Sequence, residues 1–322
     1  MKIFAYSVRA DEVDFFTTYA QKYGVTLGTT TVGPTQETLS LAKGYDAISI
    51  LTTPLTKEHL LVLKEMGIGY ISTRTVGYEH IDGEAAQELG IEFNNVVYSP
   101  YTVAEYTVML MMICLRNIKT IVAKKSIQDF SISCLIGHEL HTKTVGIIGT
   151  GKIGKTVVSI LKGYGCRIIA HDPYPDQELA KSIEYMSLDD LLTHADVITM
   201  HVPAPKDGSP LLGKREFDIM KKGIVIVNTA RGTLINQHDL MDAIESKKIG
   251  AVGLDVVQNE QDMYYYDKRY EPLKNRDFAI LNSYPNVFIT PHTAFHTKEA
   301  VSGMVEQSIT RCLEYEQKQQ QK

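Results

Sequence analysis

Short apolar runs alternate with amphipathic segments along almost the whole chain. The runs that predict strands form two blocks: KIFAY, DAISIL, GYISTR and IEFNNV in the first hundred residues, and TVGIIG, RIIAHD, DVITMHV, GIVIVNTA, AVGLDV and VFIT from Thr144 onward. These runs are apolar on both faces, which is typical of parallel strands covered by helices on either side. The two blocks therefore predict an α/β protein with two doubly wound parallel sheets.

Two helical segments between the strands carry further information. The segment TKEHLLVLKEMG has helical periodicity, with Gly67 as its stop. Ser99 and Pro100 suit the cap and first position of a second helix, which runs from Tyr101 to Val122 as YTVAEYTVMLMMICLRNIKTIV. A helix that is apolar nearly all round must be buried on most sides. We expect it to lie under its own sheet or partly in a subunit interface.

The composition narrows the function classes. A chain of 322 residues with 44% hydrophobic and 22% charged residues is typical of a soluble protein of two domains. A net charge of −5 without a long basic run argues against nucleic-acid or membrane partners. The start lacks the features of a signal peptide, and the most apolar window, YTVMLMMICL, has about half the length of a membrane span. Four scattered cysteines fit free thiols in the cytoplasm, although their even number leaves a disulfide open.

A glycine-rich turn predicts a dinucleotide site. Gly149, Gly151 and Gly154 have G-x-G-x-x-G spacing directly after a predicted strand and at the start of a helix. The first glycine allows a tight turn, the second the approach of a pyrophosphate, and the third close helix–strand packing. Asp172 ends the next strand, 18 residues after Gly154, where a carboxylate can bind the adenosine ribose. No arginine follows Asp172, so NAD is favoured over NADP. The alternative is that the glycines serve only a turn and Asp172 a cap.

Polar residues follow three later predicted strands. Arg231 comes after GIVIVNTA, Asp255 and Glu260 lie at and after the end of AVGLDV, and His292 follows VFIT. Ligands of open parallel sheets bind beyond the carboxyl ends of the strands. These residues are therefore expected to face the crevice that holds the dinucleotide.

With these motifs, the chain resembles the D-2-hydroxyacid dehydrogenases over nearly its whole length, and most of all the D-lactate dehydrogenases, including those of vancomycin-resistance operons. The motifs that carry the resemblance are KIFAYSVRADE, RTVGYEHID, NVVYSPYTVAE, VGIIGTGKIG, HVP, NTARGTLI, DVVQNE and TPHTAFHT. The resemblance implies a flavodoxin-like substrate domain over residues 1–99 plus 294–322 and a Rossmann NAD-binding domain over residues 100–293.

The resemblance also implies roles for individual residues. His292 is the expected general acid, Glu260 the partner that orients and charges it, and Arg231 the side chain that holds the substrate carboxylate. The remaining cofactor-binding positions are Lys152, Ile153, Val202, Pro203, Thr229, Ala230 and Asp255, and the remaining substrate-binding positions are Val76, Gly77, Tyr98 and Phe295. The chain departs from the family near Gly208, where a small polar residue is usual.

Several alternatives accompany this interpretation. A zinc site using His292, His296 and Glu299 is disfavoured, because zinc histidines four residues apart normally share a helix face. Pyruvate and D-lactate are the predicted substrate pair, since Tyr98 and Phe295 narrow the expected pocket; 2-oxoisocaproate or phenylpyruvate is the alternative. A non-catalytic NADH-sensing protein is a competing class, and a phosphoglycerate dehydrogenase is less favoured. The apolar helix predicts a homodimer.

Overall fold

The computed structural model describes residues 1–205, 207–261 and 263–321, which form two compact units. The first unit comprises Met1–Ser99 and the segment from His296 onward, and the second comprises Pro100–Phe295. The sequence placed Ala294 and Phe295 with the first unit, whereas the structure places them at the end of the second.

The first unit is built on a five-stranded parallel sheet in the order β2-β1-β3-β4-β5. Its strands are β1 (Lys2–Ala5), β2 (Thr26–Thr29), β3 (Ala47–Ile50), β4 (Tyr70–Thr73) and β5 (Glu92–Asn95). This order is that of flavodoxin-like folds.

The second unit is built on a seven-stranded parallel sheet in the order β12-β11-β10-β9-β6-β7-β8. Its strands are β6 (Thr144–Ile148), β7 (Arg167–His171), β8 (Glu184–Tyr185), β9 (Val197–Met200), β10 (Ile224–Asn228), β11 (Ile249–Leu254) and β12 (Val287–Ile289). The order reverses at β6, which is the arrangement of a dinucleotide-binding sheet. Two doubly wound α/β units are therefore confirmed.

Helices cover the sheets of both units. In chain order they are α1 (Val13–Tyr23), α2 (Lys57–Glu65), α3 (Gly83–Leu89), α4 (Pro100–Leu115), α5 (Ile118–Ser126), α6 (Lys152–Lys162), α7 (Leu188–His194), α8 (Lys214–Ile219), α9 (Gln237–Glu245), α10 (Arg276–Ser283) and α11 (Lys298–Gln320). Short 3₁₀ helices occur at Leu39–Ala42, Leu140–Thr142, Leu179–Lys181 and Gly232–Leu234. In the first unit, Val305 and Ile309 of α11 share a core with Phe16 of α1 and with β1, so the last helix completes that fold.

The prediction of a single apolar helix from Tyr101 to Val122 is wrong. Two helices, α4 and α5, meet there at 64°, and Asn117 between them has a φ of +53°. The carbonyl of Leu115 accepts the N–H of His138 at 2.9 Å instead of continuing the helix. Nine of the 16 residues of α4 are buried, and the helix packs on α6, β10 and β11 of its own unit.

No single helix among the described residues is long and apolar enough to cross a membrane. Only α4 and α5 taken together reach that length and composition.

Candidate active site

The turn after β6 has three glycines in three different environments. Gly149 has a φ of +91°, and a Cβ atom there would lie 2.6 Å from the carbonyl oxygen of His201. A Cβ atom at Gly154 would lie 2.0 Å from the carbonyl oxygen of Gly149, so only glycine allows α6 to approach the turn this closely. Around Gly151, in contrast, a Cβ atom would meet no described atom within 4 Å.

The open side of this turn fits a dinucleotide pyrophosphate. Gly151 is the N-cap of α6, and no described side chain caps that end of the helix. The N–H groups of the first helical turn, which begins with Lys152 and Ile153, and the positive end of the helix dipole suit an anionic group. The residues present therefore fit the predicted cofactor.

Asp172, just after β7, is bound to the glycine-rich turn. Its Oδ2 accepts hydrogen bonds from the N–H and the hydroxyl of Thr150 at 2.7 and 3.0 Å, and its Oδ1 accepts the N–H of Tyr174 at 2.8 Å. Partial burial acts to raise the pKa of Asp172, but these hydrogen bonds outweigh it and hold the pKa below the ordinary value. The carboxylate is thus ionised at neutral pH, and its predicted repulsion of a 2′-phosphate stays a prediction.

The segment after β9 closes the other side of the turn. The N–H of His201 donates to the carbonyl of Ile148 at 2.7 Å. A Cβ atom at Gly149 would meet Val202 at 2.6 Å, so Val202, followed by Pro203, adjoins the glycine-rich turn. Burial lowers the pKa of His201 to about 3, which keeps this imidazole neutral.

Asn228 at the end of β10 shapes the segment that carries Arg231. Its buried amide donates to the Arg231 carbonyl at 2.8 Å and accepts the N–H of Ala230 at 3.0 Å. The hydroxyl groups of Thr229 and Thr107 lie 2.8 Å apart, which connects the same segment to α4. Asn228 lies inside the NTARG motif, but its spacing alone predicted no role for it.

His292 and Glu260 are in direct contact. The Nδ1 atom of His292 lies 2.5 Å from Oε1 of Glu260, and Oε2 of Glu260 accepts the N–H of Val257 at 2.9 Å. The carboxylate therefore places the Nδ1 proton between the two residues and leaves Nε2 of His292 as the nitrogen that can exchange a proton with a ligand. Glu260 also provides a negative charge for the protonated imidazole.

Asp255 holds the backbone around His292. It is fully buried, and its carboxylate accepts hydrogen bonds from the Thr290 hydroxyl at 2.6 Å and from the N–H groups of Thr293 and Ala294 at 2.9 and 2.8 Å. The Asp255 carbonyl accepts the N–H of His292 at 2.8 Å. This supporting role of Asp255 was not predicted from the sequence, and its predicted binding to the cofactor stays a prediction.

The strand order explains how the catalytic candidates are assembled. Arg231 follows β10, Glu260 follows β11 and His292 follows β12, and these strands are neighbours in one parallel sheet. Their carboxyl ends therefore lie along the same edge. Phe295 is close by, with its ring centroid 6.2 Å from that of His292.

In the first unit, the segment with Val76 and Gly77 is held by polar side chains. The Thr75 hydroxyl donates to the Gly77 carbonyl, and the Asn95 amide donates to the Val76 carbonyl at 2.6 Å. The backbone carbonyls of Val76 and Gly77 therefore each accept a hydrogen bond from a side chain. The predicted binding of a substrate carboxylate by this segment, and the predicted place of Tyr98 in the pocket, stay predictions.

The second histidine of the TPHTAFHT motif has its own partner in the first unit. Nε2 of His296 lies 2.9 Å from Oδ2 of Asp11. Within residues 1–205, 207–261 and 263–321, no three His, Cys, Asp or Glu side chains form a group that could hold a metal ion.

Comparison with known proteins relates this geometry to a family. Residues 108–294 match the family model described as D-isomer specific 2-hydroxyacid dehydrogenase, NAD binding domain. The chain is 42% identical to an aromatic 2-oxoacid reductase of Clostridium sporogenes, over 99% of this chain and 97% of the relative. It is 39% identical to a D-lactate dehydrogenase of Lactiplantibacillus plantarum, over 96% and 94%. The solved structure of a D-2-hydroxyisocaproate dehydrogenase superposes with a TM-score of 0.91 at 34% identity, covering 99% of this chain and 97% of that one.

Proposed function

Because this chain belongs to the D-isomer-specific 2-hydroxyacid dehydrogenase family and is therefore an NAD-dependent enzyme, we propose that it reduces a 2-oxo acid to the D-2-hydroxy acid with His292 as the proton donor. The observation that carries the proposal is the contact between His292 Nδ1 and Glu260 Oε1 at 2.5 Å. It leaves Nε2 as the site of proton exchange.

The proposed roles follow from the chemistry of each side chain. NADH, when bound, supplies the hydride that reduces the 2-oxo carbon. The protonated His292 donates from Nε2 to the substrate oxygen that becomes the hydroxyl group, and Glu260 stabilises the imidazolium until the proton leaves. Arg231 binds the substrate carboxylate through its planar guanidinium group. In the reverse direction, neutral His292 accepts the proton.

Pyruvate is the preferred substrate proposed from the sequence. An aromatic 2-oxo acid is a second candidate, because the Clostridium sporogenes relative is named an aromatic 2-oxoacid reductase and because aromatic rings adjoin His292 in the second unit. Such rings can narrow a pocket around a methyl group or pack against a phenyl group. Pocket size alone discriminates between two substrates by about 1–3 kcal/mol of binding free energy per methylene group.

Oxidation of NADH with pyruvate, 2-oxobutyrate, 2-oxoisocaproate and phenylpyruvate tests both substrates. A higher kcat/KM for pyruvate supports the first candidate, and a higher value for phenylpyruvate supports the second. Absence of turnover with all four, despite NADH binding, would instead favour the NADH-sensing alternative. Chiral analysis of the product must give the D-isomer.

We further propose that two copies associate through the second unit. The support for a dimer now comes from the segment after α4, because α4 itself is largely covered by its own sheet. The exposed apolar side chains of this segment are Ile121, Val122, Ile127, Phe130, Ile132 and Ile136, of which Ile132 and Ile136 are 86% and 90% exposed. Exposed apolar side chains concentrated in one segment favour an interaction site, and a symmetric pair of copies would cover them on both. The cytoplasmic location expected from the sequence stays a prediction.

A further inference from the structure

Tyr265 adopts an unusual backbone conformation in the loop between β11 and α10. Its φ is +70°, in the left-handed region that non-glycine residues rarely occupy. Its side chain is 57% exposed, so burial of the ring does not explain the conformation. Such conformations persist where surrounding contacts impose them, and they often occur at functional sites.

The Tyr265 hydroxyl reaches the backbone of the proposed proton donor. It donates a hydrogen bond to the carbonyl of His292 at 3.0 Å. His292 also has a left-handed backbone, with a φ of +53°, and its N–H is bound by the carbonyl of Asp255. The peptide groups on both sides of the His292 Cα atom are therefore held by hydrogen bonds in a conformation that the residue would rarely adopt alone.

The Tyr265 ring packs beside the imidazole. The ring centroids of Tyr265 and His292 lie 6.2 Å apart, and that of Tyr265 lies 6.4 Å from Phe295 in an edge-to-face arrangement. Contacts of this geometry favour a defined orientation of the rings. The imidazole is thus bounded by Glu260 at Nδ1 and by aromatic rings at its side.

The same loop carries both partners of His292. The N–H groups of Met263 and Tyr264 donate to the carbonyl of Glu260, which forms a compact turn. The Tyr264 ring is buried and packs edge-on against Phe278 of α10. Tyr264 therefore anchors the loop in the core, and the adjacent residue points back to His292.

We propose that Tyr265 is a positioning residue for proton transfer: its hydroxyl fixes the His292 peptide and its ring limits the tilt of the imidazole, so that Nε2 faces the reacting oxygen. This inference rests on the proposed function of His292. Tyr265 does not need to touch the substrate for this role.

The test compares Tyr265→Phe and Tyr265→Ala with the intact protein, using the best substrate of the 2-oxo acid panel. Loss of one neutral hydrogen bond in Tyr265→Phe should lower kcat about 2- to 12-fold. Tyr265→Ala, which also lacks the ring, should lower kcat further. In both variants the solvent deuterium isotope effect on kcat should increase, because proton transfer becomes slower, while KM for NADH stays the same. Thermal unfolding reports whether each variant remains folded.

Tyr266→Phe and Tyr266→Ala are matched controls, because Tyr266 is the next residue of the loop and its ring lies near Lys268 rather than His292. They should keep the kcat and the isotope effect of the unmodified protein. A Tyr265→Phe variant with unchanged kcat and isotope effect would overturn the inference while leaving the proposed function intact. An unmodified protein that reduces no 2-oxo acid would instead refute the proposed function, and the inference with it.

Discussion

At the scale of single residues, the proposed chemistry depends on the pairing of His292 with Glu260. His292→Ala removes the proposed proton donor but leaves the glycine-rich turn unchanged. We expect kcat to fall by about 10²–10⁴, the usual contribution of a general acid–base, with NADH affinity nearly unchanged. Steady-state kinetics and NADH fluorescence titration measure the two quantities. Near-normal reduction of the best substrate by this variant would contradict the assignment.

Glu260→Gln tests the charge of the pair rather than its shape. The amide can still accept from His292 Nδ1 but no longer stabilises the protonated imidazole. The reductase kcat should therefore fall in steady-state kinetics, while the NADH affinity in fluorescence titration stays nearly unchanged. Glu271→Gln, on the same loop but paired with Lys268 at 2.7 Å, is the control and should keep the original kcat.

At the scale of elements, we expect the connection from β6 through α6 to β7 to select NADH over NADPH. Asp172→Ala should reduce the preference for NADH over NADPH by relieving repulsion of the 2′-phosphate. It should also raise KM for NADH, because Thr150 loses the acceptor of its N–H and hydroxyl groups. Asp176→Asn is the control, since Asp176 pairs with Lys155 on the same unit. Equal use of both cofactors by the unmodified protein would show that Asp172 does not select between them.

The segment after β9 gives the second unit a pH-dependent stability. The folded-state pKa of His201 is lowered to about 3, so the unfolded chain binds a proton that the folded chain does not. The free energy of unfolding should therefore decrease as the pH falls from about 6.5 towards 3, by at most about 1.4 kcal/mol per pH unit. Urea unfolding at several pH values measures this slope. His201→Asn should reduce the slope, and His194→Asn, at the exposed end of α7, should not.

Hydrophobic periodicity predicted the strands and helices whose burial follows from their own sequence. It failed where a contact with a residue distant in sequence determines the structure. The ten predicted strands are all present. Most of them are buried, although β5, at a sheet edge, has only half-buried and exposed residues. The missed strands β2 and β8 lie at sheet edges, are short, and have largely exposed or half-buried residues, so no apolar run marks them. The break after α4 depends on His138, more than twenty residues beyond Leu115.

The same distinction applies to the candidate site. The glycine spacing and the strand-end residues were visible in the sequence because each belongs to a local motif. The contact between Tyr265 and His292 was not visible, because 27 residues separate the two positions and a tyrosine-rich loop has no spacing that predicts where its rings point. The buried role of Asp255 likewise depends on segment 290–294, which no local pattern connects to it.

At the scale of the whole molecule, the proposed dimer depends on the exposed apolar segment after α4. We expect a symmetric homodimer in sedimentation at micromolar protein concentration. Ile132→Asp together with Ile136→Asp should shift the protein towards monomers, because burying two charges in an apolar interface is unfavourable. Ile280→Asp, an exposed position on α10, is the control and should leave the assembly unchanged. A stable monomer of the unmodified protein would contradict the dimer.

The return of the chain to the first unit at His296 affects the order in which the two units complete their folding. Ser308 of α11 bonds to Ser49 of β3 at 2.6 Å, and Val305, Ile309 and Cys312 fill the core beside β1. During synthesis, the first ninety-nine residues therefore leave the ribosome long before the helix that completes their core. The second unit is continuous in sequence and needs no such delay. The unit that is made first is thus the one that can finish folding last, and the side of β1 that α11 covers stays uncovered in the interval.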